Sequence, residues 1–429
     1  MKINWKKGPG YKRIEEFAFP KSDKISLSNG IPISLINMGT QEIVRLDIVF
    51  RGARLLESKK MASKITSALM REGTKTYLSG HIAESVDYYG SALRTGANLD
   101  YTFLSLSGLS RHFEKLLPVI EEILYDPIFP EAELEKYKKT NIEKLQLDLS
   151  KNELVNYRIF TENLYGQHHP YGYNTEEKFI TAIERDDLLE HHHHAYGNNH
   201  CFMLLGGKIN DKMVQSLDLH LGHQQKNATS LINPQIETKT GHNKIIVPSK
   251  NKHQSSIKIG RRLFNRHHED FAGFYVLNTI LGGYFGSRLM TSIREEQGLT
   301  YNIYSVIDHL IFDGYFYIET EVATGTEQKA IEEIYKQMDI LQNEAVDDEE
   351  LQMVKNYLLG NFLNLIDGPL NVMSFLRSLE LDFADKRHFE NFIQEILTIN
   401  AQTIMNLAKK YLVRNSMLEV IVGGNESTK

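Results

Sequence analysis

The segments ITAIERDDLLEHHHHAYGNNHCFMLLGG (Ile180–Gly207) and ILTINAQTIMNLAKKYLVRNSMLEVIVGG (Ile396–Gly424) read in the same order: a helical run, a Tyr, an Asn-containing turn, an apolar strand and Gly-Gly. Their offset of about 215 residues is too long for a solenoid period and implies a duplicated domain. The rest of the chain fits two copies. Lys24 to Met38 alternates on either side of Ser28-Asn29-Gly30, a hairpin signal, and Ile43 to Phe50 alternates again. Helical spacing follows over Lys59 to Arg71 and Gly80 to Tyr89, a strand over Tyr101 to Leu109, and helices from Arg111 to Tyr165 broken at Asp126-Pro127. Gln225 to Asn243 is polar, carries a Pro and a Gly, and has no apolar period; it reads as a linker. After it the order returns. Strands are predicted over Ile245 to Val247, Ser256 to Leu263, Tyr301 to Ile307 and Gly314 to Val322, with helices over Phe271 to Leu281, Ser287 to Glu296 and from Glu327 onward. Hairpins mixed with grouped helices make each copy α+β rather than alternating βαβ. The expected architecture is two homologous domains, 1–224 and 244–429, joined by 225–243. Each is a mostly antiparallel sheet with helices on one face, and together they form a clamshell around a cleft.

Composition sets the outer bounds. The chain has 429 residues, 49 Lys+Arg against 55 Asp+Glu, a net charge of −6, 41% hydrophobic residues and one Cys. The acidic balance opposes a sequence-independent grip on nucleic acid, and Lys2 to Arg13 is only a short basic tail. One Cys excludes a disulfide framework and a thiolate metal cluster. No run is long enough for a membrane span, and the N-terminal stretch lacks a signal-peptide core, so the expected location is cytoplasmic. A periplasmic location would follow only if a leader had been removed.

The sharpest chemical signal is GGYFGSRLMTSIREEQGLTYNIYS (Gly282–Ser305). Arg294 ends a helix and Tyr301 opens a strand across the turn Gln297-Gly298-Leu299. Such a corner can aim a guanidinium and a phenol at a carbonyl, or at the oxyanion formed when a peptide carbonyl is attacked. The plainer alternative, preferred on chemistry alone, pairs Arg294 with a nearby Glu and packs Tyr301 in the sheet.

The same segment resembles the Arg/Tyr signature of the pitrilysin and insulinase metallopeptidases, the inverted-motif zincins, including the branch like mitochondrial processing peptidase. Glu72-Gly73-Thr74, Tyr88 to Gly96, Leu124 to Phe129 and His169-Pro170-Tyr171-Gly172 fall in that family's order. The resemblance implies that Arg294 and Tyr301 bind the substrate backbone and help stabilise the tetrahedral intermediate. Active members carry His-x-x-Glu-His shortly before a Gly-Thr pair, with two His ligands one turn apart and the Glu as general base. Counted back from Gly73-Thr74, those positions hold Lys64, Ser67 and Ala68, and the distal Glu ligand falls at Lys144 with Glu143 beside it. None of the four can replace its counterpart, so no catalytic zinc is expected here.

Other metal-like patterns carry less weight. His81-Ile82-Ala83-Glu84-Ser85 lies after the Gly-Thr landmark and lacks the closing His. His191 to His194 reads as a partly exposed helical face. His220 and His223 have ligand-like spacing but no third partner in the nearby sequence. His267 to Asp270 opens a helix, Gly282, Gly283 and Gly286 punctuate a helix–helix turn, and Cys201 belongs to a buried strand.

A chain that keeps Arg/Tyr and loses the zinc ligands resembles the silent, peptide-binding subunit of a heterodimeric zinc protease. Such a subunit is inactive alone, and its zinc comes from a homologous partner. The extended peptide would be held by β-addition at a sheet edge. A structural protein of the same fold with no peptidase role is the alternative, and a stand-alone protease with substitute ligands such as Glu143 ranks last.

Overall fold

The computed structural model describes residues 19–225, 229–235, 243–249 and 253–423. Lys2 to Arg13, most of the linker and Gly424 lie outside them. The alternation in Ile43–Arg51 puts Val44, Leu46, Ile48 and Phe50 into one apolar cluster, while the intervening Val49 belongs to another. A strand buried on both faces needs cover on both, and this governs the architecture.

The first sheet comprises β1 (Asp23–Ser26), β2 (Pro32–Asn37), β3 (Ile43–Arg51), β4 (Ala92–Ala97), β5 (Tyr101–Leu109) and β6 (Cys201–Gly207), in the order β1-β2-β6-β3-β5-β4. The second comprises β7 (Asn243–Val247), β8 (Gln254–Leu263), β9 (Ile303–His309), β10 (Gly314–Ala323) and β11 (Leu418–Val422), in the order β7-β11-β8-β10-β9. Setting β2, β6, β3, β5 and β4 on β7, β11, β8, β10 and β9 matches every neighbour. It also matches the one parallel pairing in each sheet, β2 with β6 and β7 with β11. The terminal sequence parallel is therefore a repeated topology, and among the described residues only β1 has no counterpart in the second sheet.

The helices of the first half are α1 (Ala62–Leu69), α2 (Ser79–Tyr88), α3 (Phe113–Tyr125), α4 (Glu131–Asp148), α5 (Asn152–Tyr165), α6 (Glu177–Thr181), α7 (Arg185–Ala195) and α8 (Asp211–Leu221). Those of the second are α9 (Phe271–Gly282), α10 (Glu327–Asn343), α11 (Asp348–Asn364), α12 (Pro369–Leu381), α13 (Lys386–Thr398) and α14 (Ala401–Tyr411), with π-helical turns over Met290–Glu296 between α9 and β9.

Each sheet has its own helices on one face, as the sequence implies. The second face takes a helix from the opposite half. The α5 helix lies on β8 and β11, and α12 lies on β6 and β2. Asn156 of α5 donates to the Ser256 and Val420 carbonyls at 2.9 and 3.0 Å. Phe160 and Tyr165 join Tyr315, Tyr317 and Val420 in the cluster beneath it. On the first sheet, buried Asp47 receives Arg45 at 2.7 Å and Arg377 of α12 at 3.4 Å. Phe202 and Leu204 on that face belong to the second half's core. The halves are thus interlocked, and a cavity of about 370 Å³ lies between them beside Asp100, Asp308 and Asp382.

Candidate functional site

Helix α1 carries Lys64, Ser67 and Ala68, the positions counted back from Gly73-Thr74. Ala62, Ser63, Ile65, Thr66, Ser67 and Leu69 are buried, Lys64 is exposed and Ala68 is half-buried. The Ser67 hydroxyl donates back to the Lys64 carbonyl at 3.1 Å, so it is spent within the helix. The Lys64 ammonium is open to solvent but crowded by protein. That crowding, followed by Arg54 and Lys144, holds it below the usual lysine range, while Asp148 opposes. Lys144 on α4 therefore lies near enough to act on Lys64. Arg54 is fixed by donating to the Tyr173 carbonyl at 2.9 Å and by stacking 4.1 Å over the Tyr173 ring. Glu57, the nearest carboxylate to the start of α1, accepts from Ser63 N and Oγ at 2.9 and 2.6 Å, and burial pushes its carboxyl up. Three cations with no unengaged carboxylate do not fit a divalent metal. Glu143 is exposed on α4 and supplies no substitute set.

The Arg/Tyr corner differs in kind. Arg294 lies in the π-helical turns, a conformation that recurs at functional sites. Glu333 of α10 braces it. Burial would raise this carboxyl, but Ser292, Gln337, Lys336 and Gln297 bring it down to about 2. Ser292 and Gln297 flank Arg294, so one carboxylate fastens both sides of the turn. Gly298 takes φ +62°, and its N–H donates to the Arg294 carbonyl at 3.2 Å. The Thr300 hydroxyl bonds the Asn302 and Glu321 carbonyls at 2.9 and 2.7 Å, pinning the backbone around Tyr301.

On this fixed scaffold the two side chains are left without polar partners among the described residues. Tyr301 is 90% exposed and precedes β9 rather than opening it. Arg294 stacks 4.8 Å over the exposed Phe285 ring and finds no ion pair or hydrogen bond for its guanidinium among the described residues. Its neighbour Arg288 instead makes a bidentate pair with Glu350 at 3.0 and 2.7 Å. The plainer expectation, an Arg294–Glu pair and a packed Tyr301, is thereby corrected. Arg294 lies against the Phe285 ring instead of a carboxylate, and the Tyr301 position lies outside the pleat. Phe285 went unnoticed in the sequence, where only its flanking glycines stood out.

The decoys resolve individually. His81 is exposed on α2. His191 and His192 are buried, with His192 Nε2 2.9 Å from the Leu124 carbonyl, while His193 and His194 face solvent. His220 and His223 do have a third partner. Glu121 of α3 meets their rings at 2.7 and 3.3 Å, a pairing across about 100 residues that local spacing cannot reveal. Glu121 thus bridges the two rings. Among the described residues no group of three His, Cys, Asp or Glu side chains is arranged to hold a metal ion. No described helix is long and apolar enough to cross a membrane.

Residues 182–358, which contain the Arg/Tyr corner, match the family described as Peptidase M16 inactive domain. That stretch of the chain is similar to the inactive domain of the M16 peptidases. It is 23% identical to the "Uncharacterized zinc protease YmxG" of Bacillus subtilis, over 93% of this chain and 97% of that protein. It is also 23% identical to the "Non-peptidase homolog YmxG" of Helicobacter pylori, over 90% of each. Among solved structures, a Pseudomonas fluorescens peptidase M16 inactive domain superposes with a TM-score of 0.83 at 22% identity, covering 95% of this chain and 99% of that one. A Helicobacter pylori protease superposes at 0.87 and 16% identity, covering 95% and 100%. These structures share the M16 fold. The matched region is thus of the M16 inactive-domain type, and the chain carries Lys64, Ser67 and Ala68 on α1.

Proposed function

We propose that this protein is the catalytically silent, peptide-binding subunit of a heterodimeric zinc peptidase, with domains 1–224 and 244–429 and a linker over 225–243. The zinc-bearing homologous partner supplies the metal. Arg294 and Tyr301 supply donors for the substrate backbone and for the oxyanion of the attacked carbonyl. The observation that carries this reading is the pairing of a braced backbone with two uncommitted donors, where a merely structural Arg would be ion-paired. The free edge of β4 offers backbone groups for an extended peptide. In the assembled pair, Arg294→Ala with Tyr301→Phe should lower the partner's kcat/KM by about 100-fold or more, in line with loss of oxyanion donors. The assembly itself should be unchanged by size-exclusion chromatography. Unchanged peptidase activity in that double variant would overturn the reading and favour a structural protein of the same fold.

A further inference from the structure

A recess of about 890 Å³ opens between α9, α11, α12 and α13, sharing no residue with the α1 site or the Arg/Tyr corner. Its sides are Phe271, Tyr275, Phe362, Phe375, Phe389 and Phe392. The rings support one another, with centroids 4.5 Å apart for Phe375 and Phe389, 5.4 Å for Phe362 and Phe389, and 5.5 Å for Tyr275 and Phe392. Protein interiors normally close such spaces, because apolar surface facing a void lacks partner atoms. The volume lies in the range of small-molecule sites, about 300–1,000 Å³.

One end is polar in a specific way. Arg266 Nε lies 3.1 Å from Asp382 Oδ2, Nη1 donates to Ser378 Oγ at 3.2 Å, and Nη2 donates to His309 Nε2. A guanidinium can only donate, so Nε2 must accept and the imidazole proton sits on Nδ1. Burial first, then Arg266, holds His309 at about 3, which keeps the ring neutral at physiological pH. Arg266 is balanced by Asp382, so its charge is not spare and His309 offers a neutral N–H donor at this end, where His267, His268 and His388 also line the recess. Glu269 and Glu395 on the walls further disfavour a carboxylate.

We propose that this recess binds an uncharged apolar small molecule carrying one hydrogen-bond-accepting oxygen, such as a long-chain alcohol, ketone or ester. The aromatic walls hold the apolar body and His309 Nδ1–H meets the oxygen. The proposal is independent of the peptide-binding role.

The test uses the full chain and the neutral fluorophore N-phenyl-1-naphthylamine, with 1-decanol and decanoate as competitors. Saturable one-to-one binding is expected, with decanol displacing the probe at least about tenfold better than decanoate. Ser374→Trp fills the recess from its half-buried rim and Ala384→Trp from its buried wall, so a folding failure in one leaves the other. Either folded variant should lose probe binding while keeping its circular dichroism spectrum. His309→Phe should weaken decanol about tenfold and leave the probe unchanged, the loss of one hydrogen bond. No saturable binding, unchanged binding in the folded filled variants, equal competition by decanoate, or an unaltered decanol affinity in His309→Phe would each overturn the proposal.

Discussion

Asp100 shows how much a single position can carry in this fold. It sits in the β4–β5 turn of the first half, where it receives the Tyr171 hydroxyl at 2.5 Å and the Ile311 N–H of the second half at 3.1 Å. Burial pushes its carboxyl up, the two hydrogen bonds pull it down and Asp382 pushes it up again, to about 6 from 3.8. An acid whose folded pKa is raised binds its proton more tightly when folded, so stability is greatest at low pH and falls as pH rises from about 4 to about 6. The shift corresponds to about 3 kcal/mol. Urea denaturation of Asp100→Asn should therefore show a fall in stability between pH 4 and 6.5 that is smaller than the wild type's by about 2–3 kcal/mol. Equal slopes would show that Asp100 is ionised in the native state throughout. Legibility in the sequence also varies residue by residue. The placement of Lys64, Ser67 and Ala68 on one helix could be read by counting from Gly73-Thr74, because it depends on local spacing. The Glu121–His220–His223 triad, the Phe285 stack and Asp100 itself could not, since each joins segments brought together only by folding.

Among the elements, strands and helices fall largely where periodicity places them. Tyr101–Leu109 forms β5 and Phe271–Gly282 forms α9, each within a residue of its apolar pattern. Departures occur where tertiary contacts override local pattern. Met290–Glu296 winds as π-helix around the Glu333 brace, and β6 continues through Gly206-Gly207 instead of stopping there. Gly206 is required by the exchanged α12 helix. A Cβ at this position would lie 2.3 Å from Met373 Sδ, and Met373 is fully buried. Gly260 on the second sheet is held more by its own sheet, since a Cβ there would meet the Phe316 carbonyl oxygen of β10 at 2.0 Å before the Phe160 ring of α5 at 2.9 Å. Gly206→Ala should thus cost about 1–3 kcal/mol by overpacking the seat of α12. Combined with Met373→Ala, it should cost clearly less than the two single changes summed, measured by a denaturant double-mutant cycle. Strict additivity would mean that α12 can shift freely on β6.

The whole molecule inherits its mechanics from that exchange. Sequence reveals a duplication, but not that each copy lends a helix to the other's sheet, because an amphipathic pattern names a buried face without naming what buries it. Removing either half strips the other of cover. The first half alone would expose Ile36, Val49, Phe202 and Leu204, which belong to the core of the second. The second would expose Tyr315, Tyr317, Leu418, Val420 and Val422, which α5 covers. It would also leave the Ser256 and Val420 carbonyls without Asn156. A fully buried large apolar side chain contributes about 1.5–3 kcal/mol. Several such losses together approach the total stability of an ordinary domain, about 5–15 kcal/mol. The halves should therefore behave as one cooperative unit. Intact protein should show a single calorimetric transition with equal calorimetric and van't Hoff enthalpies. Fragments 1–224 and 244–429, purified separately, should lack a sharp thermal transition, and should recover one when co-expressed. A fragment 1–224 that unfolds cooperatively alone, with native-like near-ultraviolet dichroism, would show that the exchanged helices decorate two self-sufficient domains. A rigid, interlocked chain also suits the proposed role, since Arg294 and Tyr301 must hold their aim toward a metal carried by another subunit.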